Sequence, residues 1–408
     1  MTKMSTEEQE SKRNFKAFIW HAIFLALASN FMDVDTIIPT MLIKVGGNSI
    51  HVGILTTIMI GGASFMQLFF SGILSNQAFK KKFLISAINL RVLSLLSLAT
   101  LFYYADSMSQ NTVFFSIFTL ITIFSFSGSF ANVSYIDILG KTISTKKRKH
   151  FFSLKQFISS IGLLASAFVA SWVLKNHSFP INYSYTYTSA AVLLLVASFG
   201  FYFLSEKKPS TSKRIGIKEF FIQMPREIKR NSNLKNYLII INLLGIGISL
   251  LPFVILLAKD SQNLSFGSVG IFLIFRTIGM LIGSLSLYFI ANRFTYKKVL
   301  IMDVFLGSSL PIIALLTHDS QTVFPIVFLL AGIFISTFKI SMNGMLIEIS
   351  STENRTLYAG MSGAGNILTS LFPLFAGVMI SILGFNLVFG LISALMLLSF
   401  MFIRKLSC

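Results

Sequence analysis

The sequence is poor in charge and nearly devoid of cysteine. Only 12% of its 408 residues are charged and 54% are hydrophobic, whereas about a quarter of the residues of a soluble domain are charged. The mean hydropathy of +0.76 agrees with this composition, and together they exclude an ordinary soluble protein. Cys408 is the single cysteine, which excludes an intramolecular disulfide and a multi-cysteine metal site.

Acidic residues are also scarce, because 15 Asp and Glu accompany 34 Lys and Arg, for a formal net charge of +19. In a soluble chain this excess would suggest nucleic acid, but here the basic residues separate by predicted side of a membrane. Of the Lys and Arg between apolar runs, 27 fall on one side and only Lys44, Lys175 and Lys259 on the other. The positive-inside rule then places both termini in the cytoplasm. The polar N-terminus has no apolar region ahead of a small-residue cleavage site, so no removable signal peptide is predicted.

Apolar runs of about 20 residues, the length that crosses a hydrocarbon core, recur along the whole chain. They predict an all-α polytopic membrane protein with twelve transmembrane helices. The predicted spans are 15–43, 50–73, 83–104, 113–138, 151–174, 185–204, 237–258, 268–290, 299–317, 323–347, 357–381 and 385–403.

The longest polar stretch separates the sixth and seventh of these helices. It predicts an N-terminal six-helix bundle over 1–204, a cytoplasmic linker over 205–236 and a C-terminal six-helix bundle over 237–408. Apolar residues recur at helical spacing among basic ones within the linker, namely Ile217, Phe220, Phe221, Met224 and Ile228. This pattern favours an amphipathic helix on the anionic inner leaflet. A solvated linker with a fragment of amphipathic helix is the alternative.

Four stretches of the first half recur in the same order in the second. GILSNQAFKKKFLI (72–85) matches YFIANRFTYKKVLI (288–301), and VGI (52–54) matches VGI (269–271). Asn30 and Pro39 correspond to Asn242 and Pro252. NVSYIDI (132–138) matches NGMLIEI (343–349), each followed by Arg-x-x-aromatic. This order indicates parallel duplication of a six-helix unit.

Together these features resemble the major facilitator superfamily of secondary transporters over nearly the whole chain. Its loop motif between helices 2 and 3, Gly-x-Leu-x-Asp-Arg-x-Gly-Arg-Lys, is similar to residues 72–81, which keep the glycine, the leucine and the basic run. Asn76 replaces the aspartate, Gln77 the arginine and Phe79 the second glycine, which weakens the salt-bridge latch that the resemblance implies. The candidates for this loop and for gating are Gly72, Asn76, Lys80, Lys81, Asp137, Arg148, Glu348 and Arg355, and Asp137 is expected to reach Lys80 or Lys81. The resemblance implies two pseudo-symmetric six-helix bundles (the MFS fold) and a transport class, and it names no substrate.

Asp33 and Asp35 lie inside the first apolar run, where an ionised side chain usually faces a cavity or a partner. On a regular helix they point about 200° apart, so both reach one cavity only if the helix is broken. Pro39 makes such a break plausible, because it removes a backbone donor four residues after Asp35. We predict that one of them, more plausibly Asp33 with Asn30 one turn below, takes up and releases a proton. The alternative is that both end the helix near the outer surface beside Lys44.

Four further cations lie inside helices: Arg91, Lys155, Arg276 and Lys339. Arg276 and Lys339 are candidates to neutralise a carboxylate of helix 1 or to hold an anionic substrate, with a permanent structural ion pair as the alternative. Arg91 and Lys155 are close enough to the inner ends of their helices to snorkel, and we expect them to be structural. Asn30, Asn343 and Asn366 complete the substrate-binding candidates.

The sequence therefore predicts a secondary transporter of the bacterial cytoplasmic membrane that moves a small solute by alternating access, coupled to protons. An anionic or zwitterionic solute is favoured by Arg276 and Lys339. Export of amphipathic compounds or lipids, or a role as a transporter-like receptor, are the alternatives. We expect a monomer with no cofactor, no metal and no nucleic-acid partner. An enzyme is not expected, because no convergent acid, base or nucleophile set lies near one membrane face, and no nucleotide-binding loop accompanies the helices.

Overall fold

The computed structural model describes residues 6–407 except 75–76, 144, 208, 210–216, 263–265, 291–294, 351–357, 359–360 and 364. Within these residues the chain is helical and has no strand. The helices are α1 Thr6–Ser29, α2 Ile37–Lys44, α3 Ser49–Thr57, α4 Ala63–Leu74, α5 Lys81–Tyr103, α6 Gln110–Thr142, α7 Thr145–Asn176, α8 Ile181–Tyr202, α9 Ile217–Arg230, α10 Ser232–Ser249, α11 Leu251–Gln262, α12 Phe266–Ile290, α13 Tyr296–Thr317, α14 Pro325–Ile349 and α15 Ile367–Arg404.

The described residues contain eleven helical segments that are long and apolar enough to cross a membrane. The last of them covers two predicted helices, because α15 bends at Gly384, whose φ of 77° lies in the left-handed region that glycine adopts without strain. This bend falls between the predicted spans 357–381 and 385–403. The all-α polytopic fold is therefore confirmed, and the linker does form a helix, α9, that contains Pro225.

Polar residues begin several of the helices, since the first backbone N–H groups of a helix have no partner within it. In each case a side-chain oxygen accepts a hydrogen bond from the backbone N–H three residues later. The capping residues are Asn48, Ser109, Asn231 and Thr295.

The helices cluster into two compact units. The first comprises residues 1–33 and 62–217, and the second comprises 34–61 and 218–408. In the first unit α1 packs on α7 and α8, while α5 packs on α6 and α8. In the second unit α12 packs on α14, and α15 packs on α3, α10 and α13.

Residues 34–61, which we call the crossover segment, belong by sequence to the first bundle and by contact to the second unit. Its helix α3 lies against α15 with almost no side chains between the two backbones. A Cβ on Gly53 would lie 2.3 Å from the Pro373 carbonyl oxygen, and one on Gly377 would lie 2.4 Å from that of Ser49. Small residues permit such close approach of helices in membranes. The boundaries predicted at 204 and 237 stay a prediction.

Candidate coupling and substrate site

The first predicted transmembrane helix is broken at its two aspartates. After α1, Asn30–Met32 form a single 3₁₀ turn, Asp33 is extended (φ −69°, ψ 126°), and α2 begins at Ile37. Pro39 therefore sits in the first turn of α2, where its missing N–H costs no helical hydrogen bond. That missing donor also leaves the Asp35 carbonyl outside the helix. The break removes the geometric conflict that a continuous helix would impose on Asp33 and Asp35.

Asp35 forms an ion pair with Arg276 of α12, whose Nη1 donates a hydrogen bond to Asp35 Oδ2. Both residues are 7% exposed and both belong to the second unit. Arg276 lies ten residues into α12, so roughly 15 Å along it. A desolvated guanidinium next to a desolvated carboxylate is stabilised mainly by its partner, and loss of either charge leaves the other buried. Of the two roles predicted for Arg276, the structure provides the first, neutralisation of a helix 1 carboxylate.

Asp33, 8% exposed, lies in the first unit beside Asn30. The Asn30 amide nitrogen donates to the Leu163 carbonyl oxygen at 2.6 Å and to Ser166 Oγ at 3.0 Å. Both acceptors are on α7, so the Asn30 side chain ties α1 to α7. Its predicted contact with substrate stays a prediction.

The duplication partner of Asn30 makes the equivalent connection in the second unit. Asn242 of α10 donates to the Gly365 carbonyl oxygen at 2.8 Å and accepts from the Leu368 N–H at 2.9 Å, so it ties α10 to the start of α15. The aromatic residues that follow the fourth helix of each half also correspond. Phe151 packs edge-on against Phe15 of α1 at 5.4 Å, and the Tyr358 hydroxyl accepts from Asn231, the cap of α10, at 3.0 Å.

At the register that aligns Asn30 with Asn242, Asp33 and Asp35 correspond to Gly245 and Gly247, residues that disfavour a continuous helix. The structure differs, because α10 continues through both glycines and ends only at Ser249. A Cβ on Gly245 would lie 2.3 Å from Thr369 Oγ1, and one on Gly247 would lie 2.4 Å from Met396 Cε. These glycines are close-packing positions against α15, and the break at the aspartates is not repeated.

A charge cluster joins the loop motif to the ends of α6 and α8 within the first unit. Lys80 Nζ lies 2.7 Å from Asp137 Oδ1, which confirms the contact expected from the sequence. Lys141 bridges Asp137 at 3.0 Å and Glu206 at 2.6 Å. Glu206 also accepts from the backbone N–H groups of Lys80 at 2.8 Å and of Lys81 at 2.6 Å. A carboxylate at the N-terminus of α5 suits the positive end of that helix.

The remaining predicted residues are dispersed. Lys339, Asn343 and Glu348 lie on α14 with exposed side chains. Asn366 precedes α15 without making a side-chain capping hydrogen bond and is half-buried, and Gly72 is in the last turn of α4. Arg148 is in α7, although its side chain lies outside the described part of the structure. Asn76 and Arg355 also lie outside the described residues.

Asp303 of α13 is a buried carboxyl group that the sequence analysis missed. It is 2% exposed, and its Oδ1 accepts a hydrogen bond of 2.5 Å from Thr337 Oγ1 of α14. Within the described residues its Oδ2 has no hydrogen-bond partner, and no ion pair includes it. The one available signal was a single aspartate in the apolar run 299–317.

Comparisons with known proteins agree on the fold. The family model described as Major Facilitator Superfamily matches residues 22–257 and again 237–407. The D-xylose-proton symporter is 13% identical, with a TM-score of 0.73 over 96% of this chain and 97% of its own. A POT family transporter crystallised with a thioalcohol-conjugated peptide is 9% identical, with a TM-score of 0.72 over 96% of this chain and 95% of its own. The nucleoside transporter NupG is 14% identical, with a TM-score of 0.63 over 98% of this chain and 100% of its own. No curated protein sequence matches the chain significantly.

Proposed function

Since the chain belongs to the major facilitator superfamily, we propose that it moves a small solute by alternating access between two bundles, coupled to protons. Transmembrane transport is the activity of this family, whose members are transporters rather than enzymes. The observation that carries the coupling proposal is the buried Asp35–Arg276 pair at the break in the first transmembrane segment.

A proton on this pair would act on the attachment of the crossover segment. Asp35 lies near the start of that segment, which is attached to the second unit by the pair and by the contact of α3 with α15. Protonation of Asp35 would remove the negative charge that it places beside the buried Arg276, and loss of one member of a buried ion pair costs about 3–5 kcal/mol. That is a large part of the roughly 5.5 kcal/mol that moves a two-state equilibrium from 1:99 to 99:1. Release of the crossover segment from the second unit is the opening step in this proposal.

Asp33 and Asp303 are further carboxyl groups for the proton cycle. Asp33 is separated from Asp35 by one residue of non-helical backbone and is the second proton-coupling candidate at the break. Asp303 has no cation among its described partners and is therefore suited to hold a proton rather than to form a salt bridge. In this scheme the aspartates of the break respond to the gradient.

We propose that the chain lies in the inner membrane of a bacterial cell with both termini in the cytoplasm. The excess of Lys and Arg on one predicted side supports this orientation. We propose that the chain acts as a monomeric symporter for a small anionic or zwitterionic solute.

The test uses proteoliposomes loaded with a pH-sensitive dye. The candidate solutes are added externally, and the dye reports any change in internal pH. They are carboxylates, phosphate, amino acids, sugars and nucleosides. No labelled substrate is needed. An active solute is expected to acidify the lumen with the wild-type protein and with Asp106→Asn, a control at an exposed position. Asp33→Asn or Asp35→Asn is expected to abolish that acidification while the protein stays folded. Full acidification by both variants would overturn proton coupling at these residues.

A further inference from the structure

The first unit contains a cavity lined by three basic side chains. Its volume is about 140 Å³, well above the roughly 10–15 Å³ that one water requires. The cavity lies among α1, α5, α6 and α7, and His21, Arg91 and Lys155 line it together with Asn132 and Tyr135. All of these residues belong to one unit.

Three of the polar side chains that line the cavity lie at about the same depth in the helical bundle. Arg91 is ten residues from the start of α5, Lys155 ten from the start of α7, and Asn132 ten from the end of α6. Each is therefore roughly 15 Å from the same ends of the helices. At this depth a cation contacts water only through a cavity. The side chains of Arg91, Lys155 and Asn132 line this cavity at one level.

Arg91 packs against α6 within the unit, and the snorkelling expected from its sequence position stays a prediction. Its guanidinium carbon lies 4.3 Å from the ring centroid of Phe124, and its Nε is buried without a hydrogen-bond partner among the described residues. Gly128 leaves space for the Arg91 side chain, because a Cβ at position 128 would lie 3.3 Å from Arg91 Nε. The aromatic face stabilises the cation without neutralising it.

The two other basic side chains are also anchored by neutral groups. Lys155 Nζ lies 3.3 Å from the Tyr135 hydroxyl. His21 is 6% exposed, and its Nδ1 lies 3.3 Å from the Ala197 carbonyl oxygen, which assigns the proton to Nδ1 and leaves Nε2 for another partner. The ion pairs between described residues include neither Arg91 nor Lys155. Two cations in an apolar bundle without a carboxylate are costly, and an anion would offset that cost.

The cavity position of Arg91 differs between the two halves of the duplication. At the offset that aligns 72–85 with 288–301, Arg91 corresponds to Gly307 of α13. Helix ties such as Asn30 and Asn242 recur in both halves because both bundles need them. A group required only to hold a bundle together is expected to recur, whereas a ligand-specific group is not.

We propose that this cavity binds a small oxyanion, a carboxylate or a phosphate, through Arg91 and Lys155. The planar guanidinium suits bidentate contact with either group, and the Lys155 ammonium adds a second charge. The Asn132 amide and His21 Nε2 provide polar contacts for the remainder of the solute. The site defines the substrate class of the proposed transporter. Its role in transport rests on the proposed function.

The test measures binding, which does not require transport. Thermal unfolding of the purified protein in detergent is followed with inorganic phosphate and with succinate, against chloride at equal ionic strength. Phosphate or succinate is expected to raise the Tm of the wild-type protein above its value in chloride. Lys175→Gln, an exposed change on the same helix as Lys155, is expected to keep that response. Arg91→Gln and Lys155→Gln are expected to weaken apparent affinity at least roughly tenfold, as loss of a charge-assisted hydrogen bond implies.

Two results would overturn the proposal: an equal Tm in chloride and in both oxyanions, or an undiminished response of Lys155→Gln and Arg91→Gln. If Arg91→Gln does not fold, Arg91→Lys and Lys155→Gln serve as the test variants. Arg91→Lys is expected to bind the oxyanion partially, and Lys155→Gln is expected to lose binding. The comparison of phosphate with succinate distinguishes the two oxyanions. Oxyanion binding without solute-driven acidification would refute the transport mechanism but not the binding site. Solute-driven acidification that does not depend on Arg91 would refute the binding site but not the transport mechanism.

Discussion

Arg276 of α12 donates a hydrogen bond to Asp35, a residue 241 positions earlier in the chain, and so holds the crossover segment to the second unit. The two side chains are almost completely buried. Each therefore depends on the other for compensation of its charge, and the pair is sensitive to any change that neutralises one member.

A double-mutant cycle on this pair tests that dependence. Asp35→Asn or Arg276→Gln alone is expected to lower the free energy of unfolding by about 3–5 kcal/mol, because one buried charge loses its partner. The double variant is expected to recover a large part of that loss, as measured by denaturant or thermal unfolding in detergent. Asp319→Asn, at an exposed ion pair with His318, serves as the control and should change stability by no more than about 0.5 kcal/mol. Additive losses in the double variant would show that the residues do not stabilise each other.

The glycine seam between α3 and α15 gives a second prediction. Gly53→Ala and Gly377→Ala each place a methyl group within 2.5 Å of a facing backbone oxygen, so the two helices must separate. Both variants are expected to lower the Tm and to expose the crossover segment to protease.

Gly390→Ala on the same α15 is the matched control, because no atom outside its own helix turn lies within 4 Å of the added Cβ. It should be neutral or stabilising by up to about 1 kcal/mol, the helix propensity difference between alanine and glycine. If Gly53→Ala were as stable as Gly390→Ala, the close approach of α3 and α15 would not exist in the membrane.

The duplicated asparagines predict a paired effect. Asn30→Ala and Asn242→Ala each remove hydrogen bonds that join two helices, and each is expected to cost about 1–3 kcal/mol in the free energy of unfolding. Asn242→Ala should be the more severe, because it also leaves the Leu368 N–H at the start of α15 without its acceptor. Asn176→Ala, an exposed change at the end of α7, is the control for loss of an amide. Equal stability of Asn242→Ala and Asn176→Ala would contradict the role assigned to Asn242.

Much of the fold could be predicted from the sequence, because apolar length and charge distribution carry strong signals. The helix count, the helical linker and the contact of Lys80 with Asp137 follow from local patterns and from the loop motif. The break near Asp33 was also predictable, since Pro39 and two aspartates disfavour a continuous membrane helix.

The partners of the buried charges could not be predicted in the same way. Hydropathy shows that Arg91, Arg276 and Asp303 lie in helices, but the direction of each side chain depends on how the helices pack. The sequence left Arg276 with two roles and predicted only a structural role for Arg91. Glu206 was not among the predicted residues, because a carboxylate near the start of a polar linker is not unusual in a sequence. In the structure its side chain caps α5.

The crossover segment is the clearest example of this limit. By chain order residues 34–61 belong to the first bundle, and no composition change marks their transfer to the second unit. The transfer depends on glycines that permit close approach and on an ion pair across distant positions. Neither signal can be recognised before the contacting helices are known.

The measurement that tests the account most directly is the accessibility of the crossover segment with and without the Asp35 carboxylate. Thr40, completely buried in α2, is replaced by cysteine in a Cys408→Ser background and labelled with a membrane-impermeant maleimide. Its rate is divided by that of Asp106→Cys at an exposed position, which corrects for the intrinsic reactivity of the thiol.

Replacement of the Asp35 carboxylate by an amide should weaken its pair with Arg276. We therefore expect Asp35→Asn to raise the relative labelling rate of position 40 above that of the protein with Asp35. A relative rate that Asp35→Asn leaves unchanged would contradict the claim that this ion pair controls the crossover segment.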